Sequence, residues 1–168
     1  CVGKKERSRG SLLRPFHVRR KMKKARINIL GIDIDPLTMQ ETVNSVERYV
    51  LEKKALHLMG VNADKINQCH DDEEIRKIVN ESGIINADGA SVVLASKFLG
   101  SPIPERVAGI DLMQELLHLA NEKGYSVYLF GAQEEVLTDM LAVFKKDYPN
   151  LQVVGRRNGY FSAEEEEI

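Results

Sequence analysis

Apolar and polar positions alternate along this chain between short apolar runs and amphipathic stretches, and that alternation sets the expected elements. Ile27-Asn28-Ile29-Leu30-Gly31-Ile32-Asp33-Ile34-Asp35 reads as a strand pair or one bent strand, stopped by Pro36. Thr38 and Glu41 have the spacing of a capping box, opening a helix with Val43, Val46 and Val50 on one face to about Lys54. Ala55 to Val61 is mostly apolar, which predicts a strand buried on both faces. Asn62-Ala63-Asp64 turns into a helix. A second helix runs from about Asp72 to Glu81, its acids at 71–74 suited to a helix N-terminus. Ile84 to Ala87 is the next strand, running into Asp88, Gly89 and a helix of small residues as far as Leu99. Asp111 and Gln114 are placed to cap an amphipathic helix with Leu112, Leu116 and Leu119 inward and Gly124 as its stop. Tyr125 to Phe130 predicts a third buried strand, and Leu137, Met140, Leu141 and Phe144 mark one face of the following helix. Leu151 to Gly155 is a fourth strand, with a loop after it, and Ser162 with Glu165 is spaced as another capping box.

Strands alternating with helices of this length imply βαβ units, so the expected class is α/β: a Rossmann-like parallel sheet with helices on both faces. At 168 residues the chain is one domain with room for a core. Its 43% apolar and 29% charged residues are ordinary for a globular protein. No apolar run reaches the roughly 18 to 20 residues that span a bilayer. Cys1 and Cys69 lack the spacing of a metal site or a redox pair, and the expected compartment is reducing, hence cytoplasmic.

Charge changes the picture at one end. Residues 1–26 hold eleven Lys/Arg and one acid, leaving +10 there against −11 in the remainder. Residues 1–24 are therefore expected to be a basic, disordered extension, with residues 25–168 forming the folded domain. Such an arm could hold nucleic acid or anionic lipid, or serve only as a solvated tail.

Candidate chemistry gathers at the predicted strand ends, where open α/β sheets bind their ligands. Asp88 there is either a general base or the cap of the following helix, and Gly89 permits close approach of a substrate to the backbone. Asn62 is a polar hand at the same edge or the cap of its own helix. Arg106 suits a diphosphate, or else an ion pair with Glu105. Phe130-Gly131-Ala132 is a single-glycine turn whose backbone N–H groups could face a phosphate. Asp33-Ile34-Asp35 has the D-x-D form of a divalent-metal site, but as a strand exit it reads better as structure. The four histidines share no ligand spacing, and no G-x-G-x-x-G follows any strand. No cofactor is expected.

Several of these segments, in order, resemble the WecG/TagA/CpsF glycosyltransferases: Val61-Asn62-Ala63-Asp64, Asn86-Ala87-Asp88-Gly89-Ala90-Ser91-Val92-Val93 and Arg106-Val107-Ala108-Gly109-Ile110-Asp111-Leu112. Val127 to Ala132 and Gly159-Tyr160-Phe161 extend the likeness over about residues 25 to 168. The resemblance implies an inverting, metal-independent transferase at the cytoplasmic face of the plasma membrane. It would move an N-acetylmannosamine-type sugar from a UDP donor to undecaprenyl-diphosphate-linked GlcNAc, as in teichoic acid synthesis. By the same likeness Asp88 is the base, Arg106 steadies the leaving diphosphate, Asn62 positions sugar or acceptor, and Tyr160 borders the nucleotide. Partners implied are the UDP-sugar, the lipid-linked acceptor and the membrane surface, with no nucleic acid; pairing of two copies stays open. Two departures stand out. Gly60 occupies a position where the family commonly has Thr, and the family's further C-terminal segment lies past Ile168, so a partial copy is expected. The competing reading is a non-catalytic Rossmann-like fragment that binds a nucleotide or a partner.

Overall fold

The computed structural model describes residues 24–161. The basic extension up to residue 23 and the Ser162–Glu165 spacing lie outside them. Within this range the order is β1 (Ile27–Ile29), β2 (Ile32–Ile34), α1 (Met39–Leu51), β3 (Leu58–Val61), α2 (Ala63–Asp71) and α3 (Glu73–Asn80). Then come β4 (Ile84–Ala87), α4 (Ala90–Phe98), α5 (Gly109–Lys123), β5 (Ser126–Phe130), α6 (Glu134–Asp147) and β6 (Gln152–Arg157). The α/β class and its parallel strand pairs are those of a Rossmann-like fold. The strands form three two-stranded ladders: β1–β2 antiparallel, β3–β4 parallel and β5–β6 parallel.

The first ladder is a tight hairpin. Leu30 and Gly31 both have positive φ (50° and 89°), the backbone a two-residue turn needs to match strand twist. Alternation then turns Ile29, Ile32 and Ile34 into the core, where all three are fully buried. After β2 the chain runs beside β4: the Asp35 N–H donates to the Ile85 carbonyl at 2.8 Å, and the Ile85 N–H donates to Asp35 Oδ2 at 2.9 Å. Arg26 pairs with that carboxylate at 3.1 Å and donates to the Asn80, Ser82 and Gly83 carbonyls. The D-x-D carboxylates thus serve the fold. Asp35 is 3% exposed inside this network, and Asp33 accepts from the Asn28 side chain at 2.8 Å.

Strand β4 is buried along its whole length and packs between the hairpin and β3. Ile85, Ala87, Val61, Val92 and Ile103 join the three hairpin isoleucines in one core. A smaller cluster forms where α5 meets α1, around Val43, Val107 and Leu112. Helix α1 opens on the expected capping box, with both halves made between Thr38 and Glu41. Gly124 ends α5 in the left-handed conformation at φ 70°.

Four expectations need correction. Strand β3 is not buried on both faces: only Val61 is buried, and Gly60 is exposed. Strand β5 is not buried either, alternating between exposed and half-buried positions. Both strands face a cleft, which apolar composition alone does not distinguish from a core. Asp111 does not cap α5; the helix begins at Gly109 with Ala108 as its N-cap residue. The cause is a bond from the Val107 N–H to the Ala87 carbonyl at 2.9 Å, which fixes the entry to α5 at the end of β4. Finally, β6 extends to Arg157, past the expected end at Gly155.

Candidate active site

The carboxyl ends of β3 and β4 lie side by side, in register from Leu58 opposite Ile84 to Val61 opposite Ala87. Asp88 and Gly89 continue that edge, their N–H groups donating to the Val61 carbonyl at 2.9 and 3.3 Å. A Cβ at Gly89 would sit 3.2 Å from Asn62 Cα, so glycine there lets β4 turn tightly against β3 without crowding. Asp88 and Asn62 are thereby neighbours. Arg106 joins them by backbone, being the residue before the Val107–Ala87 bond.

The sequence left each of these residues two readings, and the geometry separates them. Asp88 does not cap α4; Gly89 is the N-cap residue, with no side-chain bond to the helix. The Asp88 carboxylate makes no hydrogen bond or ion pair among the described residues. Arg106 is exposed and not paired with Glu105, whose carboxylate instead accepts from the Met39 N–H. Asn62 does cap α2, its Oδ1 accepting from the Lys65 N–H at 2.9 Å, which leaves its amide nitrogen to face outward partners.

Helix starts differ across the molecule in the same sense. Thr38, Asn62 and Asp72 cap α1, α2 and α3 with their side chains. Gly89, Ala108 and Gln133 leave α4, α5 and α6 without a side-chain cap. The starts of α4 and α5 both adjoin Asp88, since a Cβ on Gly109 would lie 3.7 Å from Asp88 Oδ2. Uncapped first-turn N–H groups and the positive end of the helix dipole favour negative charge.

A cleft of about 490 Å³ opens beside this edge. Gly60, Asn86 and Gly109 form the end nearest Asp88, while Tyr128 and Phe130 of β5 form the opposite wall. Asn86 is 2% exposed and accepts from the Thr42 hydroxyl at 3.3 Å. The sequence reading passed over Asn86, Gly109 and Tyr128. A usable signal was Gly155, which stands opposite Tyr128 in the ladder; a Cβ there would lie 2.6 Å from the Tyr128 ring.

Gly131 and Tyr160 lie elsewhere, at the ends of β5 and β6. Gly131 has φ 115° and Ala132 φ 62°, a left-handed turn that any other residue at 131 would strain. The Gly131 N–H donates to the Arg157 carbonyl at 3.1 Å, and the Gly159 N–H donates to the Ala132 carbonyl at 3.0 Å. This brings the turn against the segment leading to Tyr160, whose ring is exposed. Phe130, one residue before Gly131, lines the cleft, so the two groups of residues stand at its two sides.

Other chemistry is weaker. Cys69 is buried, and that burial pushes its thiol pKa up, the opposite of what a nucleophile needs. His57 meets the Ser82 hydroxyl at 3.1 Å, and His118 stacks edge-on against Tyr148. Among the described residues no three His, Cys, Asp or Glu side chains are grouped to hold a metal ion. None of their helices is long and apolar enough to cross a membrane.

Comparison with known proteins identifies the family. Residues 27–168 match the glycosyl transferase WecG/TagA/CpsF family. The chain belongs to that family. Among curated relatives it resembles the N-acetylglucosaminyldiphosphoundecaprenol N-acetyl-beta-D-mannosaminyltransferases of Staphylococcus aureus strains NCTC 8325 and MRSA252. Identity to each is 30% over 146 residues, covering 86% of this chain and 57% of the relative. Of the segments that carry the family likeness, those ending β3 and β4 and opening α5 meet at one edge, and residues 127–130 line the cleft beside it.

Proposed function

We propose that this WecG/TagA/CpsF domain transfers an N-acetylmannosamine-type sugar from UDP to a polyprenyl-diphosphate-linked N-acetylglucosamine, at the cytoplasmic membrane face and as a step in making a cell-surface polymer such as teichoic acid. The observation that carries the reading is the Asp88 carboxylate, unpaired within the described fold, beside a cleft and two uncapped helix starts. A carboxylate held for packing or capping would have a partner. Among the described residues Asp88 has none, which supports its availability to a ligand.

The chemistry follows from those groups. Asp88 takes the proton of the acceptor hydroxyl as that oxygen bonds to the anomeric carbon of the donor sugar. The bond from that carbon to the diphosphate breaks, and UDP leaves with the electron pair, inverting the configuration. Arg106 meets the charge growing on the diphosphate, in a setting where fixed donors stabilise it without rearranging. Asn62 orients a sugar hydroxyl through its free amide nitrogen. Gly131 and Tyr160, across the cleft, border the nucleotide, and no metal takes part in the step.

Replacing Asp88 with Asn keeps the size and removes the base. Transfer from UDP-N-acetylmannosamine is expected to fall by about 10²- to 10⁴-fold, with UDP affinity and melting temperature nearly unchanged. Transfer at close to the original rate would remove Asp88 from its role. Because the chain spans 57% of the length of its relatives, wild-type binding of UDP by calorimetry with no transfer would favour the non-catalytic reading.

A further inference from the structure

Helix α4 has an unusual make-up for a surface helix. Ala90-Ser91-Val92-Val93-Leu94-Ala95-Ser96-Lys97-Phe98 is apolar or small nearly all round, with Lys97 its one charge. A helix of that kind is normally enclosed. Here only one face is covered: Val92 and Ser96 are buried, and Val93 and Ala95 pack on the main core. The other face is open. Phe98 is 83% exposed, and Leu94, one turn before it, and Leu99 are each more than half exposed. The charge pattern agrees: from Gly89 to Pro104 there is no acid and a single base, in a chain that is 29% charged.

The hairpin points the same way. Its turn holds Leu30 at φ 50°, a left-handed backbone that disfavours a bulky side chain and that asparagine or glycine accepts at less cost. The side chain gains little packing in return, being 76% exposed. An apolar residue that is both strained and exposed has no reason in the fold, and strain of this kind collects at functional positions. Strand β1, which leads into the turn, packs against α4.

We propose that the outer face of α4 and the hairpin tip form the surface by which this domain rests on a lipid bilayer, with Leu30, Leu94, Phe98 and Leu99 set among the headgroups. Size and charge select the occupant. Together the four side chains offer on the order of a few hundred Å² of apolar surface, enough to mark an interaction site. That is well short of the roughly 800 Å² that each partner buries in a standard protein–protein interface. A lipid surface needs no matching shape, and phenylalanine and leucine beside a lysine suit its headgroup boundary. The chain past residue 26 carries −11, so an anionic leaflet repels most of its surface but not this acid-free face. The inference rests on the transferase reading for one point, that the acceptor is lipid-linked. Asp88 adjoins the start of α4, whose nine residues span roughly 13 Å. An acceptor can then keep its polyprenyl tail in the lipid and its sugar at the carboxylate.

The chain has no tryptophan, so Phe98→Trp gives the full chain a single fluorophore on the proposed face. With vesicles of phosphatidylcholine and phosphatidylglycerol in equal parts, its emission is expected to shift to the blue and to be quenched by brominated acyl chains. Val154→Trp, at an exposed position of the β5–β6 ladder, is expected to show neither. Phe98→Glu is expected to weaken flotation with the same vesicles by about tenfold or more, the scale of one aromatic side chain left in water. Its melting temperature stays near wild type, because the side chain packs little. Leu30→Asn is expected to weaken flotation less while raising the melting temperature, since it eases the turn. An unshifted Phe98→Trp, an equal response from Val154→Trp, or equal flotation of Phe98→Glu and wild type overturns the proposal. A wild-type dimer without vesicles that Phe98→Glu dissolves also overturns it, by giving the face to a second copy. None of these readings needs sugar transfer, so vesicle binding can hold while the transferase reading fails, and the reverse.

Discussion

The two parallel ladders use similar sequence to different ends. Strand β4 of the first ladder is buried throughout and sealed by the hairpin, α4 and Ile103. In the second, Tyr128, Phe130 and Val154 are more than half exposed, and only Leu137 and Phe144 of α6 are buried. The first ladder fixes Asp88 at the end of a strand that cannot shift without opening the core. The second presents aromatic rings to the cleft. On the mechanism proposed above, the reacting groups stand on the densely packed side and an exposed aromatic wall stands opposite.

That contrast can be broken most directly at Asp35. Asp35→Ala leaves Arg26 without its carboxylate and the Ile85 N–H without an acceptor. Removing one partner of a buried ion pair costs about 3–5 kcal/mol, measurable by urea denaturation. A loss below about 1 kcal/mol, the range of a surface pair, would mean that the first ladder is not held this way. Next is a paired measurement. Ile85→Ala is expected to cost about 2–5 kcal/mol as a cavity in the dense half. Val154→Ala, at a residue 66% exposed, is expected to stay within about 0.5 kcal/mol. Equal losses would erase the distinction between the ladders. The smallest effects concern helix starts. Thr38→Ala is expected to cost about 1 kcal/mol, whereas Gln133→Asp, which supplies a cap that α6 lacks, is expected to stabilise by up to about 1 kcal/mol. A destabilised Gln133→Asp protein would indicate that the open start of α6 has a structural partner.

Much of this architecture was readable from residue pattern, and the failures share one cause. Local signals worked where the deciding contact was local: the Thr38–Glu41 box and the Gly124 stop. They failed where a distant partner decided. Apolar runs at β3 and β5 suggested burial, yet Gly60 and Tyr128 face a cleft whose other wall lies nearly 70 residues away in sequence. Asp111 had the right spacing to cap α5, but the Val107–Ala87 bond fixed the chain so that the helix starts three residues earlier, with Ala108 as its N-cap residue. For Asp88 the pattern offered cap or base, and only the position of Gly89 at the N-cap removed the first. The open space beside Asp88 was invisible for the same reason. A glycine in a sequence does not say what stands where its side chain would be.

Arg26 carries a consequence for the order of folding. Its guanidinium reaches the Gly83 carbonyl 57 residues along the chain. Closing a loop of that length costs roughly 3–4 kcal/mol of chain entropy before any bond is gained. The clasp is therefore expected to form after the hairpin, α3 and β4 have met, as a latch on a finished unit. In a chevron plot the Asp35→Ala loss is expected in the unfolding arm, with the folding arm little changed. A slowed folding arm would instead put the clasp in the nucleus. As a late latch, it stabilises the ledge that carries Asp88 chiefly by delaying its escape.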